Sequence, residues 1–342
     1  MMGPNRYVRT VGITAALALG LGVGQTTARA DNVEVRVATL APEGSSWMKI
    51  LSQGAVEIGE KTENRVTVKY YAGGVQGDER DVVRKIRLGQ LDGAAVTSVG
   101  LAMIDESIRV LELPMMFASI EEMDYARDKA WGYFQKKFEK AGFKLGEQGD
   151  VGWIYFLSKS KVESVSDLRS QKVWMWGDDT IVRAMFKKLN VSGVPLGVPE
   201  VDASLTSGRI NACYGSPLAA VALQWSSKIK FMTSMPMSYA IGATIVSKDA
   251  WNKIGAADQK TFEKSVKKIG KNLRKVVRKD NISAQKQMTS KGVKLVQTPA
   301  TTIADFETSA QAVWKELVGK VYSQGELDMV LKYRDEYRAK HK

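Results

Sequence analysis

The order strand, helix, strand, helix, strand occurs twice along this chain, and no other feature restricts its fold as much. In the first pass VEVRVATL (33–40) is an apolar strand. Gly44-Ser45-Ser46 then opens a helix patterned by Trp47, Ile50, Leu51, Ala55 and Ile58. RVTVKYYAGG (65–74) alternates as a strand until two glycines break it, DERDVVRKIRLG (78–89) is a helix closed by Gly89, and LDGAAVTSVG (91–100) is a third strand. The second pass reads KVWMW (172–176), TIVRAMFKKL (180–189), VPLG (194–197), VPEVDASLTSG (198–208) and INACYG (210–215). The helix-to-strand junctions echo each other, IRLGQLDG (86–93) against LTSGRINA (205–212). Strands joined through helices pair in parallel, with the helices covering the sheet faces. The expected fold is therefore α/β, in two lobes, each a mostly parallel sheet flanked by helices, with a cleft between them.

GDVGWIYFLSK (149–159) is long enough to cross from one lobe to the other, and AIGATIVSKDAW (240–251) reads as the return strand. The expected division is a first lobe over 31–152, completed by parts of 240–342, and a second lobe over 153–240. The remainder, 241–342, holds the return strand and long helices that pack on both lobes. The first of those helices has Phe262, Val266, Ile269, Leu273 and Val276 on one face and Lys260, Lys264, Lys267, Lys268, Lys271 and Lys275 on the other. No aromatics interleave with the lysines as single-stranded nucleic acid would require, so no nucleic-acid partner is expected and the face reads as solvated.

The first thirty residues read as a signal peptide. Arg6 and Arg9 precede an apolar stretch over 11–24, shorter than the roughly twenty residues a spanning helix needs, and Ala28-Arg29-Ala30 fits a cleavage site. The expected product begins near Asp31 and is soluble and periplasmic. A single cysteine, Cys213, provides neither a lipobox near the cleavage point nor an internal disulfide. The formal net charge of +13, three units of it from Arg6, Arg9 and Arg29, suits nucleic-acid binders and receptors for anions equally and decides little.

Several chemistries are excluded. The one histidine, His341, is next to the last residue, so neither a histidine-based triad nor a histidine metal site is available, and one cysteine rules out thiolate metal sites. Ser46-Trp47-Met48-Lys49 matches the S-x-x-K of serine β-lactamases without their S-D-N and K-T-G companions. There is no phosphate-binding glycine loop. We expect no enzyme and no cofactor.

Ligands of open α/β sheets bind beyond the carboxyl ends of the strands, which places a site in the cleft. The first lobe offers Glu43, Ser45, Ser46 and Trp47, then Gly74, then Val99; the second offers Trp174, Trp176, Tyr214 and Ser216, with Tyr155 and Tyr239 supplying hydroxyls. Trp174 and Trp176 share one strand face, either as cleft wall or as core packing, with Met175 on the other face. The N–H groups at Gly44-Ser45-Ser46 are a candidate anion cradle, and Arg183 a candidate cation reaching inward.

The ordered segments VRVATLAPEGSSW, VVRKIRLGQLDGAAV, LPMMF, SVSDLRSQKVWMW and VPEVDASLTSGRINACYGSP resemble the DctP-type solute receptors of TRAP transporters over nearly all of the chain after the leader. That resemblance implies a two-lobed periplasmic binding protein that closes on one small organic solute. It also implies delivery to a permease with large and small membrane subunits, driven by an ion gradient. The family's usual ligands are organic acids, held bidentately by an arginine in a segment reading G-x-K-I-R. Here Trp174 stands in that place, Ile154 follows Gly152-Trp153 where a second arginine often lies, and Ser216 precedes Pro217 where the family has asparagine. The departures lead us to expect an apolar, aromatic or amphipathic solute. The alternatives are an ordinary carboxylate held by other residues, a secreted docking protein without a small ligand, and a hydrolase built on Ser46 and Lys49.

Overall fold

Strand β1 (Val33–Thr39) pairs in parallel with β2 (Val66–Tyr71) on one side and β3 (Gly93–Thr97) on the other. These elements come from a computed structural model that describes residues 32–177 and 179–341; the segment read as a signal peptide lies outside the described residues. Helix α1 (Ser46–Lys61) connects β1 to β2, and α2 (Glu79–Arg87) connects β2 to β3. The second connection passes back over β1, so right-handed crossovers put the two helices on opposite faces. The packing agrees: Val35 and Val37 cluster with Ile58 of α1, while Ala38, Ala94 and Val96 cluster with Val82, Val83 and Ile86 of α2.

Sequence periodicity carries the third strand to Gly100, but β3 ends at Thr97. The Thr97 hydroxyl accepts the Val99 N–H and starts a short helix, α3 (Ser98–Ala102), and the Glu79 carboxylate takes the N–H groups of Thr97 and Gly100. A 3-10 turn (Glu106–Glu112) and helix α4 (Ile120–Lys140) lead to β4 (Phe143–Ser158).

Strand β4 begins six residues before the expected 149 and joins the two halves of the molecule. Over Phe143–Ile154 it pairs antiparallel with β9 (Ser238–Ser247), which also borders β3; over Tyr155–Ser158 it pairs with β7 (Ala212–Gly215). The second half continues through helix α5 (Val165–Arg169), β5 (Val173–Trp176), helix α6 (Thr180–Leu189), β6 (Gly193–Leu196) and helix α7 (Val201–Ser207). The strand path is β2-β1-β3-β9-β4-β7-β5-β6. Short strands β8 (Phe231–Thr233) and β10 (Lys294–Val296) extend the second half beside β4.

Helix α8 (Pro217–Ala222) follows β7, and α9 (Lys248–Lys253) follows β9. Helix α10 (Ala256–Ser290) spans 35 residues, roughly 50 Å, and packs on α1, β4 and α8. Helix α11 (Ala300–Leu317) lies against α6, and α12 (Gln324–Lys340) against α4. Among the described residues no helix is long and apolar enough to cross a membrane.

Candidate functional site

Carboxyl ends of strands from both halves converge on a cavity of ≈ 240 Å³ whose wall is mostly apolar. The first half contributes Pro42, Trp47, Thr97, Ser98 and Val99; the second contributes Trp174, Trp176, Tyr214, Ser216 and Trp225. The cavity continues beneath the first sheet toward Phe262 and Val266 of α10.

Alternation along β5 puts Trp174 and Trp176 on one face, with ring centroids 6.1 Å apart. Trp174 is 2% exposed. Tyr214 stacks on it at 4.6 Å, Trp225 meets it edge-on at 5.4 Å, and its indole N–H donates to the Leu196 carbonyl at 3.0 Å. It is thus both cavity wall and packed core. Trp176 reaches across the cleft: its indole N–H donates to the Asp78 carboxylate at 2.8 Å, and its backbone N–H donates to the Tyr214 hydroxyl at 3.0 Å. Asp78 also caps α2 and accepts the Val198 N–H, so one carboxylate of the first half holds two groups of the second.

The charged lining is the strongest chemical constraint. Arg109, on the 3-10 turn, is a buried guanidinium that donates to Asp179 at 2.8 Å and to the Ser98 hydroxyl at 2.7 Å, with Glu112 at 3.6 Å. Burial alone would lower its pKa, but Asp179 and Glu112 more than offset this, and it lies above the ordinary arginine value. Burial raises Glu112, opposed by Arg109 and by hydrogen bonds from Ser98 and the Ile241 N–H. Asp179 also caps α6 by accepting from Ile181 and Val182. Glu79, on the same wall, is pushed up to about 7 by burial against the pull of its N–H donors. At the far end, Asp150 is engaged by Arg127, Arg278 and the Tyr239 hydroxyl. The cavity wall therefore carries carboxylates in excess of its one arginine.

Of the residues expected at a site, Trp47, Val99, Trp174, Trp176, Tyr214 and Ser216 line this cavity. Trp47 is half-buried and donates to the Asp150 carbonyl at 3.2 Å; Ser216 is fully buried, its hydroxyl capping α8. The remaining six lie elsewhere. Glu43 is exposed. The Ser45 hydroxyl accepts the Met48 N–H, so the proposed anion cradle is already capped by its own side chain. Ser46 donates to Asp280 at 2.5 Å, and Lys49 is exposed. Gly74 sits where a side chain would meet Leu40 and Pro199, Tyr155 is half-buried on β4, and Tyr239 is committed to Asp150. Arg183 is exposed and bonded to the Gly177 carbonyl, not directed inward.

Sequence reading passed over Arg109, Glu112 and Asp179. Asp179 carried a signal: it immediately precedes a helical run, the position of an N-cap, which fixes its carboxylate at the end of β5. Arg109 lies in a 3-10 turn with no hydrophobic period to mark its direction. Among the described residues no cluster of histidine, cysteine or acids fits a metal ion.

The family model for bacterial extracellular solute-binding proteins of family 7, DctP, matches residues 37–320. A solute-binding protein of Chromohalobacter salexigens is 24% identical over 311 residues, covering 90% of this chain and 91% of that protein. The 2,3-diketo-L-gulonate-binding periplasmic protein YiaO of Escherichia coli is 21% identical over 243 residues, 69% of this chain and 73% of the relative. In three dimensions the chain is similar to a TRAP periplasmic solute-binding protein from Ralstonia eutropha with bound (S)-2-acetolactate (TM-score 0.83, 18% identity, 89% of this chain and 99% of the other). It is also similar to one from Xanthobacter autotrophicus with bound β-D-galacturonate (TM-score 0.81, 20% identity, 88% and 99%). With the family model spanning most of its length, this chain belongs to family 7 of the bacterial extracellular solute-binding proteins.

Proposed function

We propose that this protein is the periplasmic receptor of a TRAP-type secondary transporter, exported by cleavage near Asp31. It captures one small organic solute between its lobes and delivers it to the large and small membrane subunits of a permease. The solute is apolar, aromatic or amphipathic. One observation carries this choice: Arg109, among the described residues the only arginine or lysine lining the cavity, is already held by Asp179 and Glu112. A carboxylate ligand would enter with no free cation to receive it and would face acids, a poor exchange for its hydration. Around this pair the wall is aromatic and aliphatic, suited to burying ligand area.

A second reading, an organic acid as ligand, has its own support. The similar solved structures hold acids such as galacturonate and acetolactate, and the buried Nε of Arg109 has no hydrogen-bond partner among the described residues. Mass spectrometry of solute released from protein purified out of its native periplasm separates the two, together with thermal shifts for neutral and carboxylate compounds of matched skeleton. We expect a neutral or amphipathic compound to be released and the neutral series to give the larger shifts. Release of a sugar acid, keto acid or dicarboxylate establishes the second reading. No released solute and no shift in either series overturns the receptor reading in favour of a docking protein.

A further inference from the structure

Helix α10 presents a row of lysines that the solute site does not use. At 100° per residue, Lys264, Lys268, Lys271, Lys275, Lys279 and Lys286 lie within about 40° of one line along the helix, together with Ile282. All seven are exposed, Ile282 to 60%, and the row extends about 33 Å at 1.5 Å per residue. No acid falls in this arc. Among the described residues only Lys268 has an ion-pair partner, Glu57 at 2.8 Å, and that lysine remains 71% exposed. The helix's two arginines flank the row on one side, and both are paired: Arg274 with Asp128, and Arg278 with Asp124 and Asp150. The helix thus pairs its fork-shaped cations with carboxylates of α4 and β4, and the row itself consists of point charges.

We infer that this row is a docking surface for the anionic headgroups of a lipid bilayer. Three features favour a bilayer over other polyanions. Lysine is depleted at protein–protein interfaces, where arginine and aromatics dominate, and the row contains neither. Single-stranded nucleic acid would call for aromatics stacked among the cations, and the exposed faces of α10 have none. A straight, evenly spaced line of compact ammonium groups matches a flat, diffuse negative surface, for which each lysine near the headgroups contributes independently. The apolar face of α10 is spent on α1, β4 and α8, so the helix adsorbs without inserting, with Ile282 as the single apolar contact. The consequence is a receptor held flat on a membrane face, where its search for a membrane partner becomes two-dimensional. This inference does not depend on the identity of the solute.

The test is co-sedimentation of the protein cleaved near Asp31 with vesicles of 30% phosphatidylglycerol in phosphatidylcholine and with phosphatidylcholine alone, at low and at moderate salt. The row variant carries K271Q, K275Q, K279Q and K286Q; a control variant carries K49Q, K140Q, K161Q and K320Q, all exposed but off the row. We expect binding to the anionic vesicles only, weakening with salt, and a loss of about fivefold per lysine removed from the row, which is the ~1 kcal/mol each contributes. The control variant keeps the affinity of the parent. No binding to anionic vesicles overturns the inference, as does an equal loss in the control variant. Duplex DNA competing as well as vesicles of equal charge also overturns it, because the row would then be a general polyanion surface.

Discussion

Trp174 shows how one residue can serve as wall and core together. Two aromatic neighbours flank the ring and a carbonyl takes its only polar group, yet it still lines the cavity. That it shares a face of β5 with Trp176 follows from alternation and was legible in the sequence; that this face borders the cavity was not. That its faces are largely occupied by Tyr214 and Trp225 was not, because those residues come from β7 and from a turn after α8. Arg109 gives the sharper test at this scale. The side chains of Arg109, Asp179 and Glu112 are 5%, 7% and 6% exposed, so Arg109→Met leaves two carboxylates buried without their cation. Removing one partner of such a group costs about 3–5 kcal/mol. Urea unfolding of Arg109→Met is expected to show a loss of that size; a loss under 1 kcal/mol means the arginine is not holding the acids in solution.

At the scale of elements, both β-α-β-α-β passes were legible because α1 and α6 are long enough to show their period and α2 and α7 end at glycine signals. The helix expected over 198–208, however, opens as a 3-10 turn and is α-helical only over Val201–Ser207. Gly208 adopts φ 76° at the end of α7, as a glycine stop should. Strands β8 and β10 were not legible, since three residues carry no period and their pairing joins segments about sixty residues apart. The crossing strand shows what local pattern conceals. Between Asp150 and Gly152 its register against β9 shifts, and Gly152 takes φ 121° with Asn281 packed where a side chain would go. Asn281 donates to the Val151 carbonyl and accepts the Leu218 N–H, tying α10, β4 and α8 together. Gly152→Ala both strains the backbone and displaces that amide. We expect roughly 1–3 kcal/mol of destabilisation from the backbone alone, checked by thermal and urea melts. Wild-type stability in this variant would mean the bulge relaxes freely.

For the whole molecule, the two halves are held against each other by polar contacts across the cleft. Trp176 and Val198 reach Asp78, Arg109 reaches Asp179, and Thr180 donates to Glu106 at 2.8 Å. Trp176→Phe keeps the aromatic wall and removes one of these bonds. A hydrogen bond to a charged group contributes about 1.5–3 kcal/mol, so closure should weaken by roughly tenfold or more. Small-angle scattering in the absence of solute is expected to show a larger radius of gyration, and any solute found should bind correspondingly less tightly. An unchanged radius with unchanged affinity would place closure in the other contacts.

The sequence by itself determined the order of elements, the two-lobed class, the loops at the strand ends and a supply of one histidine and one cysteine. Each of these is a local or compositional property: periods of two and 3.6, glycine stops, and residues the chain hardly has. The lysine row belongs here too, since spacing along one helix needs no fold to be read. Only the tertiary structure decided which charges meet. Arg109 and Asp179 are seventy residues apart and come together because a 3-10 turn and the end of β5 face the same cavity. Ser45, Ser46 and Tyr239 are bonded to other partners for the same reason. A strand end fixes where the backbone emerges, but whether a hydroxyl or guanidinium looks into the cleft depends on partners such as Asp280, Asp150 and Met48, and packing brings those partners in from distant parts of the chain.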